Sequence, residues 1–245
     1  MNEVLNRVKE NYHLNNLELS HKVELGYLSD NYVLINGDKK YFLKKHRVAD
    51  PIKVRQILDI EQLFFDRGIP AILPITFADN QTMFQVEDSV YSLYPFVEGS
   101  HGKGKHYSKT ALKSAGEMLA KIHVAGQKDY PKIDYDDFVM WAKPDFLAKA
   151  KFLRELIKSD SEFDNMARDF LDLKVKIVEE TETVPYENNF GEPQLIHGDF
   201  HGSNLFFNDK DEITHVFDFE KAQIQPPVLE IVRSMNFLCF GEDFG

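Results

Sequence analysis

The chain has 245 residues, 43% of them hydrophobic, enough to bury the core of one large domain or two small lobes. A formal net charge of -11 argues against nucleic acid as a partner, because phosphate backbones demand a basic face. The single cysteine, Cys239, excludes an intramolecular disulfide, and no signal peptide or apolar run of ~20 residues is visible, so a cytoplasmic protein without a membrane partner is expected. Cys239 itself reads as a small core residue on an apolar helix.

Val4, Leu5 and Val8 share one face of a short helix predicted over residues 2–13. From Leu17 to Arg47 the pattern turns strand-like. Residues 23–27, 32–35 and 40–44 read as antiparallel strands, with Asn36-Gly37 as a hairpin turn. Lys44 lies among aromatic and aliphatic residues, where a solvent-facing and an inward lysine are equally good readings. Asp50 as a cap, Pro51 in the first turn, and Ile57, Ile60, Phe64 and Phe65 at helical spacing predict a helix over 51–67. Glu61 flanks its apolar stripe, either as a solvated residue or as an ion-pair partner for Lys44. Strands are predicted at 72–77, 81–86 and 90–94, the last running into Pro95-Phe96-Val97-Glu98-Gly99.

The segment 100–106 is a basic linker without the phosphate-loop pattern G-x-x-x-x-G-K-[ST]. A helix over 108–125 follows, with Leu112, Ala115, Met118, Leu119 and Ile122 inward and His123 packed or capping near its end. Helices over 137–157 and 161–179, a polar loop over 181–193, a strand over 194–197 and a last helix over 227–238 complete the chain. The layout is α+β: a mostly β lobe (1–95), a hinge (96–100) and a mostly helical lobe (101–245), with the hinge beside the deepest cleft.

The chemistry concentrates at His197-Gly198-Asp199-Phe200-His201-Gly202-Ser203-Asn204 and Phe217-Asp218-Phe219-Glu220. Between them, apolar runs at 204–207 and 213–217 flank the turn Asn208-Asp209-Lys210-Asp211-Glu212, which reads as a hairpin. Asp199 precedes it, Asn204 sits at its mouth and Asp218 at its exit, so the three are expected to converge. Two acids and an amide are what is needed to hold magnesium and orient a hydroxyl. A metal-dependent hydrolase is the competing reading, since His197, Asp199 and His201 alternate as ligands on a strand would. Gly198 and Gly202 speak instead for a loop.

These segments resemble the aminoglycoside phosphotransferase and choline/homoserine kinase group of the protein-kinase-like fold. The octet from His197 to Asn204 is similar to the group's H-G-D-x-x-x-x-N, and Asp218-Phe219-Glu220 to its D-[FW]-E. Leu119-Ala120-Lys121-Ile122-His123 resembles its L-A-x-[IL]-H helix, and Pro226-Pro227-Val228-Leu229-Glu230 its D-P-x-x-D segment. The resemblance implies a two-lobed fold, with an antiparallel-sheet N-lobe carrying one helix and a mostly helical C-lobe. It implies transfer of a γ-phosphoryl group from ATP or GTP, with Mg2+, to a hydroxyl of a small molecule. Asp199 would orient the acceptor hydroxyl, and Asn204 and Asp218 would ligate the metal. Lys44, held by Glu61, would contact the α/β-phosphates, and the backbone of Pro95 and Val97 would bond the adenine. His197 and Glu230 would brace the catalytic loop.

The nucleotide loop departs from the protein-kinase pattern, with Gly26 alone where G-x-G-x-x-G is usual; Ser29 and Asn31 would bond phosphate instead. The group usually continues beyond the last helix, so the resemblance implies either a shortened member or a truncated chain. A non-catalytic, pseudokinase-like nucleotide-binding module is a further alternative. The acids Asp134, Asp136, Asp137, Asp160, Glu162 and Asp164 favour an amine-bearing acceptor, a solvated surface being an equally good reading.

Overall fold

The computed structural model of the chain describes residues 1–23, 30–101, 107–127, 129–131, 143–182 and 191–239. They fall into two compact units, Met1–Asp136 with Glu192–Gly245, and Asp137–Gly191.

The first unit begins with α1 (Asn2–Tyr12), β1 (Leu17–Val23), β2 (Asn31–Asn36), β3 (Lys39–Lys45), α2 (Pro51–Asp66), β4 (Phe84–Val86) and β5 (Ser89–Pro95). The strands form one antiparallel sheet in the order β1-β2-β3-β5-β4. Gly37, at φ 62°, opens the two-residue turn between paired Asn36 and Lys39. Strand alternation sends Leu34, Leu43, Tyr91 and Leu93 against Val4 and Val8 of α1. The opposite face packs Val90 and Tyr94 against Val54 and Leu58 of α2. Asp50 caps α2 by accepting from Ile52 N–H at 2.9 Å, with Pro51 in the first turn. The sheet thus carries a helix on each face.

Two strand expectations differ from the structure. The first strand starts at Leu17, and most of 23–27 lies outside the described residues. Residues 72–77 form no strand. Pro74 has no N–H to give a ladder, and the segment keeps only isolated pairings: Ala71 with Val216, Phe77 with Gln81, and Ile75 N–H to Leu93 O at 2.7 Å.

After β6 (Ser100–His101) comes α3 (Lys109–Ala125), capped by Ser108 Oγ accepting from Ala111 N–H at 3.1 Å. The second unit holds α4 (Lys143–Leu156) and α5 (Glu162–Glu180), joined by an Arg154–Asp172 ion pair. No residue of α5 is buried, and Phe163, Met166, Phe170, Leu173 and Ile177 are exposed. Asp160 pairs with Arg168, and Asp164 accepts from Ser159, at the N-terminal end of α5 where the helix dipole favours acids. Asp134, Asp136 and Asp137 lie outside the described residues.

The first unit resumes with β7 (Gln194–Ile196), β8 (Leu205–Phe207), β9 (Ile213–Val216), β10 (Gln223–Gln225) and α6 (Pro227–Cys239). β6, β8 and β9 form one antiparallel sheet, β7 and β10 another. A shared core gathers Phe64 of α2, Ile122 of α3, Leu195, Phe200, Val216 and Phe219. Val216 N–H donates to Pro70 O at 2.9 Å, and Ile72 N–H to Val216 O at 3.1 Å, so backbone pairing ties the segment after α2 to the β8–β9 hairpin. Cys239 is exposed, contrary to expectation: it ends α6, one position round the helix from buried Leu238. Among the described residues, no helix is long and apolar enough to cross a membrane.

Candidate active site

β7 delivers the chain to His197, and the loop that follows is held from several sides. Gly198 turns at φ 80°, and a Cβ there would lie 1.8 Å from the Lys221 carbonyl oxygen. Only glycine fits both the conformation and the approach. Glu230 of α6 accepts from Gly198 N–H at 2.5 Å, from His197 N–H at 3.2 Å and from His123 Nε2 of α3 at 2.9 Å. His197 Nε2 donates to Phe217 O at 3.1 Å, while Nδ1 accepts from Asp199 N–H at 3.2 Å. Burial lowers the His197 pKa, keeping the ring in the neutral form that both bonds require. With both nitrogens hydrogen-bonded to backbone groups, His197 does not join Asp199 and His201 as the alternative hydrolase reading required.

Asp199 and Asn204 share this loop. Asn204 Nδ2 donates to Asp199 O at 2.9 Å, leaving Asn204 Oδ1 without a partner among the described residues. The hairpin then closes the circuit: Phe217 N–H donates to Asn204 O at 2.9 Å, so the residue after Phe217, Asp218, emerges beside Asn204. Asp218 has a left-handed backbone, φ 67°, unusual for a residue with a side chain.

Lys44 of β3 is 1% exposed and turns inward. Its Nζ lies 2.9 Å from Asp218 Oδ1 and 3.3 Å from Glu220 Oε1. Burial alone would lower its pKa; the Asp218 and Glu220 carboxylates outweigh burial and hold it above the ordinary lysine value. Glu220 is itself braced. His46 Nδ1 lies 3.0 Å from its Oε1, and His46 Nε2 lies 2.9 Å from Ser92 Oγ, all three groups being buried. Burial would raise the Glu220 pKa, but Lys44 and His46 hold it down to about 2.

The expected Lys44–Glu61 ion pair is not formed. Glu61 is fully buried on α2, and its Oε2 accepts from Tyr94 OH at 3.0 Å while Oε1 has no partner among the described residues. Burial pushes its pKa up to about 8, and Lys44 lies against Asp218 and Glu220 instead.

Three proton-bearing side chains surround the Asp199 carboxylate. Arg233 of α6 pairs with Oδ1, Lys221 Nζ lies 3.1 Å from Oδ2, and His201 Nε2 lies 3.5 Å from Oδ2. Burial would raise the Asp199 pKa; His201, Lys221 and Arg233 together hold it well below the usual carboxylate range. Lys221, Arg233, His46 and Ser92 were not among the residues expected from the sequence. Arg233 had a signal: it stands three residues after Glu230 and so shares its helix face. His46 and Ser92 had none, since only the pairing of β3 with β5 makes them neighbours.

Of the remaining expected residues, Asn31 stands opposite Lys44 in the β2–β3 register, with Oδ1 buried and unpartnered among the described residues. Pro95 ends β5 and is exposed, and Val97 packs against the apolar cluster on the α2 face of the sheet. Ser29 lies outside the described residues.

The donors at the hairpin fit a hard divalent cation. Asn204 Oδ1 and the second oxygen of Asp218 are unclaimed among the described residues, and magnesium takes one or two such oxygens together with phosphate and water. Among the described residues, no group of three or more His, Cys, Asp or Glu side chains is placed to hold a metal ion.

Residues 21–244 match the model of the Phosphotransferase enzyme family. No curated protein matches the chain significantly. Among solved structures, it is similar to spectinomycin phosphotransferase APH(9)-Ia in complex with ADP and spectinomycin, at 16% identity and a TM-score of 0.69, over 92% of this chain and 70% of that one. It is similar to amicoumacin kinase hAmiN in complex with AMP-PNP, Ca2+ and Ami, at 13% identity and a TM-score of 0.66, over 98% and 70%. The microcompartment-associated aminopropanol kinase is a third, at 14% identity and a TM-score of 0.63, over 97% and 75%. These likenesses are of fold: an antiparallel N-terminal sheet and a helical C-terminal region in an α+β chain. With the family model covering nearly its whole length, the chain belongs to the Phosphotransferase enzyme family.

Proposed function

We propose that the chain moves the γ-phosphoryl group of ATP, or of GTP, to a hydroxyl of a small molecule. One observation carries the reading: the buried lysine of the N-terminal sheet meets Asp218 at 2.9 Å, at the exit of the hairpin whose mouth holds Asn204 beside Asp199. Phosphoryl transfer needs positioning and charge neutralisation more than covalent help, and this arrangement supplies both. Lys44, fully protonated, contacts the α/β-phosphates, with Ser29 and Asn31 bonding phosphate and the backbone of Pro95 and Val97 bonding the base. Mg2+, held by Asn204 and Asp218, would supply further neutralisation of phosphate charge. Asp199 orients the acceptor hydroxyl. Its depressed pKa makes it a weak base, which suits a loose transition state in which the proton leaves late. His197 and Glu230 hold the loop that presents it. Residues 1–95 then serve the nucleotide, 96–100 the hinge and 101–245 the acceptor and catalysis. The ADP of the spectinomycin phosphotransferase and the AMP-PNP and Ca2+ of the amicoumacin kinase support a nucleotide and a divalent cation in this fold.

The test is ADP release from Mg-ATP across a panel of alcohols, together with nucleotide binding. Asp199→Ala lowers transfer by about 10²–10⁴-fold and leaves the nucleotide Kd unchanged. Asp218→Ala weakens Mg-nucleotide binding as well. Full transfer by Asp199→Ala would remove its assigned role.

A further inference from the structure

The charge around Asp199 identifies the kind of acceptor, given the phosphotransferase reading above. Arg233 and Lys221 both reach this carboxylate, from α6 and from the segment before β10, and His201 adds a third donor. One carboxylate does not neutralise two permanent cations. The other acids nearby have different partners: Asp218 and Glu220 face Lys44, Glu230 faces two backbone N–H groups and His123, and none of them pairs with Arg233 or Lys221 among the described residues. The direct ion-pair contacts of Asp199 are therefore two cations on one carboxylate.

Those cations are also accessible. The side chains of Arg233 and Lys221 are 36% and 35% exposed, against 12% for Asp199. The guanidinium lies over the Phe237 ring at 5.4 Å, which limits its movement, and its buried Nε has no partner among the described residues. A planar, partly open guanidinium beside an open ammonium is a good receptor for an oxyanion. An acceptor must bring its hydroxyl to Asp199, so the substituents next to that hydroxyl lie beside both cations. An amine there is repelled and an anion is attracted.

We propose that the acceptor is an alcohol bearing an anionic oxygen group, a carboxylate or a phosphate, bound by Arg233 and Lys221. The acids of the helical segment do not counter this. Those that are described lie around the start of α5, where Asp160 pairs with Arg168 and Asp164 accepts from Ser159.

The experiment uses the full chain with Mg-ATP, read as ADP release, and with Mg-AMP-PNP, read as thermal stabilisation. The carboxylate arm is glycerate and gluconate, the phosphate arm glycerol 3-phosphate, the neutral control glycerol, and the amine arm 2-aminoethanol, glucosamine and kanamycin. At least one anionic arm responds, about tenfold or more above glycerol, and the amine arm does not. Which anionic arm responds names the group. Arg233→Gln and, separately, Lys221→Gln raise the KM of that acceptor about tenfold while the nucleotide KM holds. A response to amines in preference to anions, no response to any anion, or an equal rise in both KM values overturns the proposal. The last outcome would assign the cations to the transferring phosphoryl group. Loss of the phosphotransferase reading looks different: Mg-ATP alone would then neither stabilise the chain nor be turned over.

Discussion

Glu61 has one oxygen bonded to Tyr94 and one bonded to nothing among the described residues, in the interior of the protein. The sequence placed it correctly on α2 beside the apolar stripe, but a carboxyl at that spacing reads equally well as solvated. Its burial has a consequence for stability. The folded protein keeps the Glu61 proton up to about pH 8, whereas the unfolded chain releases it near 4.5. Between these values the folded state binds the extra proton, so stability falls as pH rises through that window. Glu61→Gln keeps an acceptor for Tyr94 OH and removes the titration. The variant should therefore melt at higher temperature than the parent at pH 8 and show a flatter dependence of melting temperature on pH between 5 and 8. An unaltered slope would mean that Glu61 is ionised throughout.

At the scale of elements, periodicity and turn chemistry located most helices and hairpins because those signals are local. Asp50-Pro51 started α2, the apolar period from Leu112 to Ile122 marked α3, and the polar turn at 208–212 joined β8 to β9. The failure at 72–77 is also local, since Pro74 stands inside the apolar run and cannot serve a ladder. The match of α6 to the loop after β7 is of another kind. A single carboxylate, Glu230, satisfies two backbone N–H groups of the loop after β7 and a histidine of α3. Glu230→Ala leaves those donors buried and unpaired, at about 1–3 kcal/mol each, so a loss of about 3 kcal/mol or more is expected in denaturant unfolding. Glu230→Gln keeps one acceptor and should lose less. An alanine variant within about 0.5 kcal/mol of the parent would show that the loop is held by other contacts.

Across the whole first unit, one buried cation joins the N-terminal sheet to the exit of the β8–β9 hairpin. Lys44 meets Asp218 and Glu220, and His46 and Ser92 extend the same chain of polar groups back into the sheet. Removing one member of a buried charge cluster leaves the others uncompensated. Lys44→Met should therefore lose nucleotide binding and also destabilise the chain by about 3–5 kcal/mol, measured by unfolding without nucleotide. A variant of parental stability that lacks only nucleotide binding would show that this cluster does not hold the two parts together. What the sequence determined by itself was the α+β order of elements, the octet from His197 to Asn204 with the hairpin after it, and the family these residues resemble. Helix period, caps and turns depend on neighbours in the chain, and motif residues are close in sequence because one tight loop presents them. The tertiary structure alone decided which carboxylates hold Lys44, that Glu61 is buried with its pKa raised, and that Arg233 and Lys221 surround Asp199. Those outcomes depend on burial and on charges brought together from distant segments, and neither quantity exists until the chain has folded.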